Sequence, residues 1–491
     1  MQEMVPARDR RFAFFTIFLA GFLAGIAVRT LTIALPVITI ELNVPLGVAS
    51  WVSNGYYIVL ASSIVTIGKI ADVKGLKKIF LWGMAIFAVA SVLCPLAVDI
   101  YTLIAARMIQ ALGSAMFIAA SPALIVQIAS DENLGQVQGI LAASTAAGTV
   151  TGWAIGGIFI DISGWRSIFV PVIVLSVALF LLGRKYLPEF SAKPRDTPFD
   201  IPGAVLFFIF LFSVTGALSV IEIPDINFLF VEGLLVTAAV SGLWYGIRHF
   251  GKKIGAWSER LVKSRNFYLA ISASILVFLV YSGVCFILPF ALILGLDLDP
   301  AGAGLLLMGI TVAQIVAAPF AGRAADRYGP RVICVVSIIG LIVTTGLFSF
   351  LRHGMGYQTI ILLVLFWAAF GSFLGPVMTL LFRHCGDRSK GQCSGIIMTS
   401  RYFGFIMGIA LFTIVFTEAV YAAGLPRNGM QVFPRLTTEV QVVGFADTFI
   451  FAAIVATVAL VLILLVPEAR CQVPGCELEE KNMNVELRGG G

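Results

Sequence analysis

The sequence predicts an all-α polytopic membrane protein with fourteen crossings. Three observations carry that expectation. Of the 491 residues, 59% are hydrophobic and only 12% charged, too little charge for a soluble surface of this size. Apolar runs of about 20 residues, the length that crosses ~30 Å of hydrocarbon, recur from end to end. Lysine and arginine are also divided unevenly between alternate connecting segments.

The runs fall at 12–36, 48–68, 79–98, 102–127, 137–160, 167–184, 200–221, 228–247, 267–292, 301–320, 332–351, 357–381, 392–416 and 446–467. The first is too long for a signal-peptide core and reads as an uncleaved span. With the N-terminus in the cytoplasm, 26 of the 33 Lys and Arg residues fall in inside segments, and four (Arg166, Arg352, Arg427, Arg435) fall outside. This bias predicts a multi-pass protein of the cell membrane with both termini cytoplasmic. The net charge of +6 belongs to these loops and is no nucleic-acid signal. The lipid bilayer is the expected partner, and the chain is expected to act as a monomer.

Two short charged stretches interrupt the apolar runs in equivalent ways. GKIADVKGLKK at 68–78 carries Gly68, Asp72, Gly75, Lys77 and Lys78, and GRAADRYGPR at 322–331 carries Gly322, Asp326, Gly329 and Arg331. Each follows the second span of a six-span set. Spans 1–6 and 9–14 therefore read as two equivalent bundles, 12–186 and 266–468. A linker, 187–265, contributes spans 7 and 8, and a cytoplasmic tail occupies 469–491. Parallel repeats of this kind are a transporter architecture with the substrate site between the halves. Glycine allows close helix approach and a carboxylate can cap a helix or pair with a base, so a gating role is expected for both stretches.

With these repeats the chain resembles the major facilitator superfamily, in particular its fourteen-span drug:proton antiporter branch. RMIQALGSA (107–115) resembles the arginine–glutamine motif of span 4, and the resemblance implies that Arg107 and Gln110 couple protonation to movement. GTVTGWAIGG (148–157) resembles the span-5 antiporter motif through Gly148, Gly152, Gly156 and Gly157, and GWRSIF (164–169) follows it. MTSRYFGFIMG (398–408) resembles the span-13 segment, which makes Arg401 structural or gating by family position. The resemblance implies a major facilitator fold: two six-helix bundles plus two linker helices. It also implies alternating access, no cofactor, and proton-coupled efflux of amphipathic drugs or toxic organic compounds, with the loop motif latching the cytoplasmic side.

Several positions depart from that pattern. Trp153 stands where the antiporter motif has proline, and reads either as an aromatic platform in the cavity or as a core or lipid-facing indole. Val73 and Leu76 replace two latch arginines. Ala27 and Thr32 take the places of a span-1 aspartate and asparagine, so the usual titrating carboxylate is missing and the proton site is unassigned. Arg29 lies nearby, about 25 Å along the helix from its cytoplasmic end. An intramembrane arginine is costly and points to function; a cavity-facing guanidinium is weighed here above one that snorkels. Arg29, Asn54, Tyr57 and Arg401 are the candidate cavity residues, and Tyr56, Gln127 and Gln314 are further embedded polar groups. The basic span 1 raises an organic-anion exporter or exchanger as an alternative. The altered motifs raise a transporter-derived sensor or lipid-binding protein as another.

No phosphate-cradling loop, catalytic triad or H-E-x-x-H is found, and His249, His353 and His384 fall at span ends or loops, so an enzyme is not expected. The spacing of His384, Cys385 and Cys393 fits no zinc pattern, and no metal is expected. None of the seven cysteines suggests a disulfide framework.

Overall fold

The computed structural model describes residues 7–129, 134–189, 201–221, 228–251, 265–349, 357–383, 390–423 and 438–467. Arg352, His353, His384, Cys385, Arg427, Arg435 and the tail lie outside them. Among the described residues fourteen helices are long and apolar enough to cross a membrane. They are α1 (Ala7–Glu41), α2 (Leu46–Lys74), α3 (Leu76–Leu93), α4 (Ile100–Ile128), α5 (Leu134–Ser163), α6 (Phe169–Tyr186), α7 (Ile201–Ile221), α8 (Phe228–Gly251), α9 (Arg265–Phe290), α10 (Pro300–Tyr328), α11 (Pro330–Phe348), α12 (Tyr357–Arg383), α13 (Lys390–Ala422) and α14 (Thr438–Leu464). The reason is elementary: in hydrocarbon the backbone must satisfy its own polar groups, and a helix does so within one segment.

The ends depart from the hydropathy reading where local chemistry intervenes. The third span, expected to reach residue 98, leaves the α-helix at Leu93 and ends in a 3-10 turn, Cys94–Leu96, where Pro95 has no N–H to continue the ladder. Asp99 then caps α4 in a capping box, its carboxylate accepting from the Thr102 N–H at 2.7 Å. That hydrogen bond holds the Asp99 carboxyl below its ordinary pKa. Asp299 likewise accepts from the Gly302 N–H at 2.8 Å, with Pro300 in the first turn of α10. In both, an Asp stands three residues before the N–H that donates to it, a signal that hydropathy alone passes over.

The two charged stretches make the same turn. Gly75 has φ 101° and Gly329 has φ 90°, values that a side chain tolerates poorly. Each donates its N–H back four residues, to the Ala71 carbonyl at 3.0 Å and the Ala325 carbonyl at 2.9 Å. Each also ends one helix and begins the next.

Helices pack most extensively as α1 with α5, α3 and α2 with α4, α9 with α13, and α10 and α11 with α12. Small residues make this possible, as expected where lipid supplies no hydrophobic drive between helices. Gly148, Gly152 and Gly156 present one face of α5 to α1. A Cβ at Gly152 would lie 3.1 Å from the Ile26 Cα, one at Gly156 would lie 2.8 Å from the Thr30 Cα, and one at Gly148 would overlap the Phe22 carbonyl. Gly404 on α13 repeats the device against α9, where a Cβ would meet the Ile275 carbonyl at 2.7 Å. Helix α9 is the most enclosed span, with 83% of its apolar window buried, against 17% for α8. So α9 is central and α8 peripheral. Helix α7 rests on α2 through the Trp51–Phe212 pair, 5.0 Å between centroids, and on α13 through Phe210 and Phe403, 6.5 Å apart.

Cys94, Cys285 and Cys334 are free. Cys393 is disulfide-bonded.

Candidate substrate cavity

A cavity lies between α1, α2, α9 and α13, lined by Arg29, Ser53, Tyr57, Tyr281, Cys285 and Phe405 among others. Its volume of about 20 Å³ holds a water molecule, whereas a drug-sized solute occupies 300 Å³ or more, roughly.

Arg29 is its charged group. It lies more than three turns from either end of α1 and is 9% exposed, so its guanidinium is turned into the bundle and does not reach a surface. Its Nη2 donates to the Tyr281 hydroxyl at 2.9 Å. The guanidinium carbon lies 5.0 Å from the centre of the Trp153 ring and 5.6 Å from that of Tyr281. Both are cation–π distances. Trp153 is itself 1% exposed and does not line the cavity; it is a core indole that backs Arg29 from α5.

Of the other cavity candidates, Tyr57 lines the space, and its ring lies 5.4 Å from Phe405 and 6.2 Å from Tyr402. Asn54 and Arg401 do not line it. Asn54 is fully buried, and neither of its amide atoms has a hydrogen-bond partner among the described residues. Arg401 lies between two rings, 5.4 Å from both Phe278 and Phe405.

Arg107 and Gln110 form a separate buried network in α4. Arg107 Nη1 donates to the Gln110 side-chain oxygen, and the guanidinium lies 4.4 Å from the Tyr56 ring centre. Gln110 Nε2 donates to Ser91 Oγ on α3 at 2.6 Å, and the Tyr56 hydroxyl donates to Ser114 Oγ at 2.6 Å. Among the described residues Arg29 and Arg107 are the buried charged side chains, and no carboxylate is buried with them.

The residues of the two charged stretches lie apart from the cavity. Nothing stands within 4 Å of a Cβ built at Gly68 or at Gly322. Lys77 reaches Glu189 at 3.9 Å, an exposed pair of little energetic consequence. Arg331 donates to the Leu464 carbonyl at 2.6 Å and so closes the end of α14. At the opposite end Gly157 on α5 abuts the Pro300 carbonyl of α10.

Sequence reasoning missed Tyr281 and Cys285. The available signal was the hydroxyl pair Tyr281–Ser282 and the Cys285 thiol one turn on, in the otherwise apolar run ILVFLVYSGVCFILPF. Gln314 was noted as embedded, but not as the acceptor of the Tyr281 hydroxyl at 3.3 Å.

Among the described residues, fourteen membrane-length helices with a charged, aromatic cavity among four of them suit a membrane transporter. The chain belongs to the Major Facilitator Superfamily, whose family model matches residues 17–409. It is 26% identical over 400 residues to the riboflavin transporter RibZ of Clostridioides difficile (strain 630), covering 81% of this chain and 86% of that one. It is 27% identical over 394 residues to the multidrug resistance protein Stp of Mycobacterium tuberculosis (strain ATCC 25618 / H37Rv), covering 77% and 71%. In fold it is similar to a bacterial homologue of the human lysosomal transporter Spinster in an inward-facing, unoccupied conformation, with a TM-score of 0.67 at 14% identity over 93% of this chain and 98% of that one.

Proposed function

We propose that the chain is a secondary active transporter for amphipathic organic solutes that carry negative charge. It exports them from the cytoplasm across the cell membrane. The bundles 12–186 and 266–468 rock about the cavity at Arg29, and both termini are cytoplasmic. One observation carries the charge preference: a buried guanidinium lines the cavity with no buried carboxylate among the described residues to balance it. A cargo carboxylate or phosphate would supply charge-assisted hydrogen bonds there, and the surrounding rings suit an aromatic body.

A second reading, proton-coupled efflux of drugs without regard to charge, is favoured by the relatives named multidrug resistance protein Stp and drug efflux pump JefA. Purified protein in proteoliposomes separates the two. Anionic, neutral and cationic aromatic dyes are followed with and without an imposed pH gradient. Preference for the anionic dye supports the first reading. Equal handling of all three, driven by the pH gradient, supports the second. Transport of none would leave a transporter-derived sensor.

A further inference from the structure

Closing a cavity around a cation removes the water that solvated it, which is costly unless its N–H groups find other acceptors. Here Arg29 finds a neutral oxygen. Its Nη2 donates to Tyr281 Oη at 2.9 Å, an oxygen carried by α9, 252 positions away. The hydroxyl in turn donates to Gln314 Oε1 on α10 at 3.3 Å, a long contact, and is hydrogen-bonded to the Cys285 thiol as well. A phenol whose proton points at Gln314 turns a lone pair toward Arg29, as an oxygen of a carboxylate or phosphate would. The ring cannot drift: it stacks on Phe370 with centroids 3.6 Å apart and planes 5° from parallel. The Gln314 backbone is held close against α12, because a Cβ at Gly371 would meet its carbonyl and Cα.

We propose that the Tyr281 hydroxyl is an internal stand-in for the anionic oxygen of the cargo. It satisfies Arg29 whenever no anion is bound there. An entering anion displaces it. The inference rests on the reading of the cavity as an anion site. It adds that Tyr281 sets the occupancy threshold, because every cargo must compete with it for Arg29.

The chain supplies its own reporter. Cys285 lines the same cavity, is not in a disulfide and is hydrogen-bonded to Arg29 and Tyr281, so the ratio of the two labelling rates is read, which cancels a change in the thiol itself. The full-length protein in nanodiscs is exposed to an anionic reagent, sulfonatoethyl methanethiosulfonate, and to its cationic trimethylammonioethyl counterpart. Labelling at Cys285 is read by peptide mass spectrometry. Tyr281→Phe keeps the ring on Phe370 and removes only the hydroxyl. It should raise the anionic rate about tenfold, the scale of one hydrogen bond to a charged group, and leave the cationic rate unchanged or lower. Gln314→Leu, which releases the hydroxyl without touching the ring, should move the ratio the same way by less. Arg29→Gln should erase the anionic preference in every background. If no variant shows an anionic preference that depends on Arg29, the anion reading itself fails. If the preference depends on Arg29 but Tyr281→Phe leaves the anionic rate unchanged, or leaves Cys285 unlabelled, the stand-in is wrong and the anion reading survives. A rise that is equal for both reagents makes Tyr281 a plug and also overturns the stand-in.

Discussion

Gly304 on α10 lies directly against the backbone of Trp153 on α5: a Cβ at Gly304 would be 2.5 Å from the Trp153 carbonyl oxygen and 3.2 Å from the Gly157 Cα. Neither neighbour is a side chain that could rotate away. Gly304→Ala must therefore push the two helices apart, at a cost of about 1–3 kcal/mol for an overpacked contact. Gly309, five residues further along α10, has nothing within 4 Å of its Cβ position. Alanine there should be neutral or slightly stabilising, since glycine costs a helix up to about 1 kcal/mol relative to alanine. Thermal unfolding of the purified protein compares the two. A Tm that falls for Gly304→Ala and holds for Gly309→Ala is expected; equal Tm values would mean that α5 and α10 have slack at this contact.

The glycines of the charged stretches separate folding from gating. Gly75 and Gly329 adopt positive φ, so alanine at either is strained and should lower Tm, by about 1–2 kcal/mol of stability. Gly68 and Gly322 face open space in this state, and alanine there should leave Tm unchanged. If these two stretches close against neighbouring helices during the cycle, Gly68→Ala and Gly322→Ala should slow dye transport in proteoliposomes severalfold in spite of normal stability. Full transport rates in both variants would confine the motif to a structural turn.

The fourteen spans were legible because apolar length is a property of one segment at a time, and lipid leaves a long apolar segment no alternative to a helix. The glycine turns were legible because they occur twice. The cavity was legible only in part. Arg29 declares itself, since a charge in an apolar span is rare. Its partner does not: Tyr281 is one of several hydroxyls in an apolar helix, and its value depends on α1, α9 and α10 meeting at one depth, which no local pattern encodes. Trp153 illustrates the same limit. Its position in a glycine-rich helix face was plain, but whether it bordered the cavity or lay behind Arg29 depended on how α5 is rotated against α1.

The Arg107 network makes a stability prediction independent of cargo. Gln110 accepts from Arg107 and donates to Ser91 at 2.6 Å, joining α4 to α3 within a buried site. Gln110→Leu removes the acceptor from a buried cation and leaves it poorly satisfied, a loss of about 1–3 kcal/mol. Ser91→Ala removes two neutral bonds, the one from Gln110 and the one to the Phe87 carbonyl, but leaves no buried charge without its acceptor, and should cost about 1 kcal/mol. Thermal unfolding should rank wild type above Ser91→Ala above Gln110→Leu. The reverse order would show that Arg107 draws its support from the Tyr56 ring rather than from Gln110.

Arg29 decides what charge the cargo carries. Its guanidinium hydrogen-bonds Tyr281 while lying 5.0 Å from the Trp153 ring centre, and a planar fork can do both at once. A lysine ammonium, a compact and more strongly hydrated charge, cannot reproduce that geometry. Arg29→Lys should therefore keep part of the attraction for anions, and Arg29→Gln none of it. For anionic solutes the inhibition constant should rise about tenfold or more in Arg29→Gln, the loss of one charge-assisted contact of about 1.5–3 kcal/mol. Neutral solutes, which use the rings, should shift by far less, and cationic solutes should improve as the repelling charge is removed. Trp153→Leu tests the backing ring separately: it removes a cation–π contact worth about 0.5–2 kcal/mol and leaves the charge, so anions should weaken less than in Arg29→Gln. The measurement is inhibition of dye transport by matched anionic, neutral and cationic aromatics in all four proteins. Parallel shifts across the three charge classes would remove Arg29 from cargo recognition and leave it a structural tie between α1 and α9.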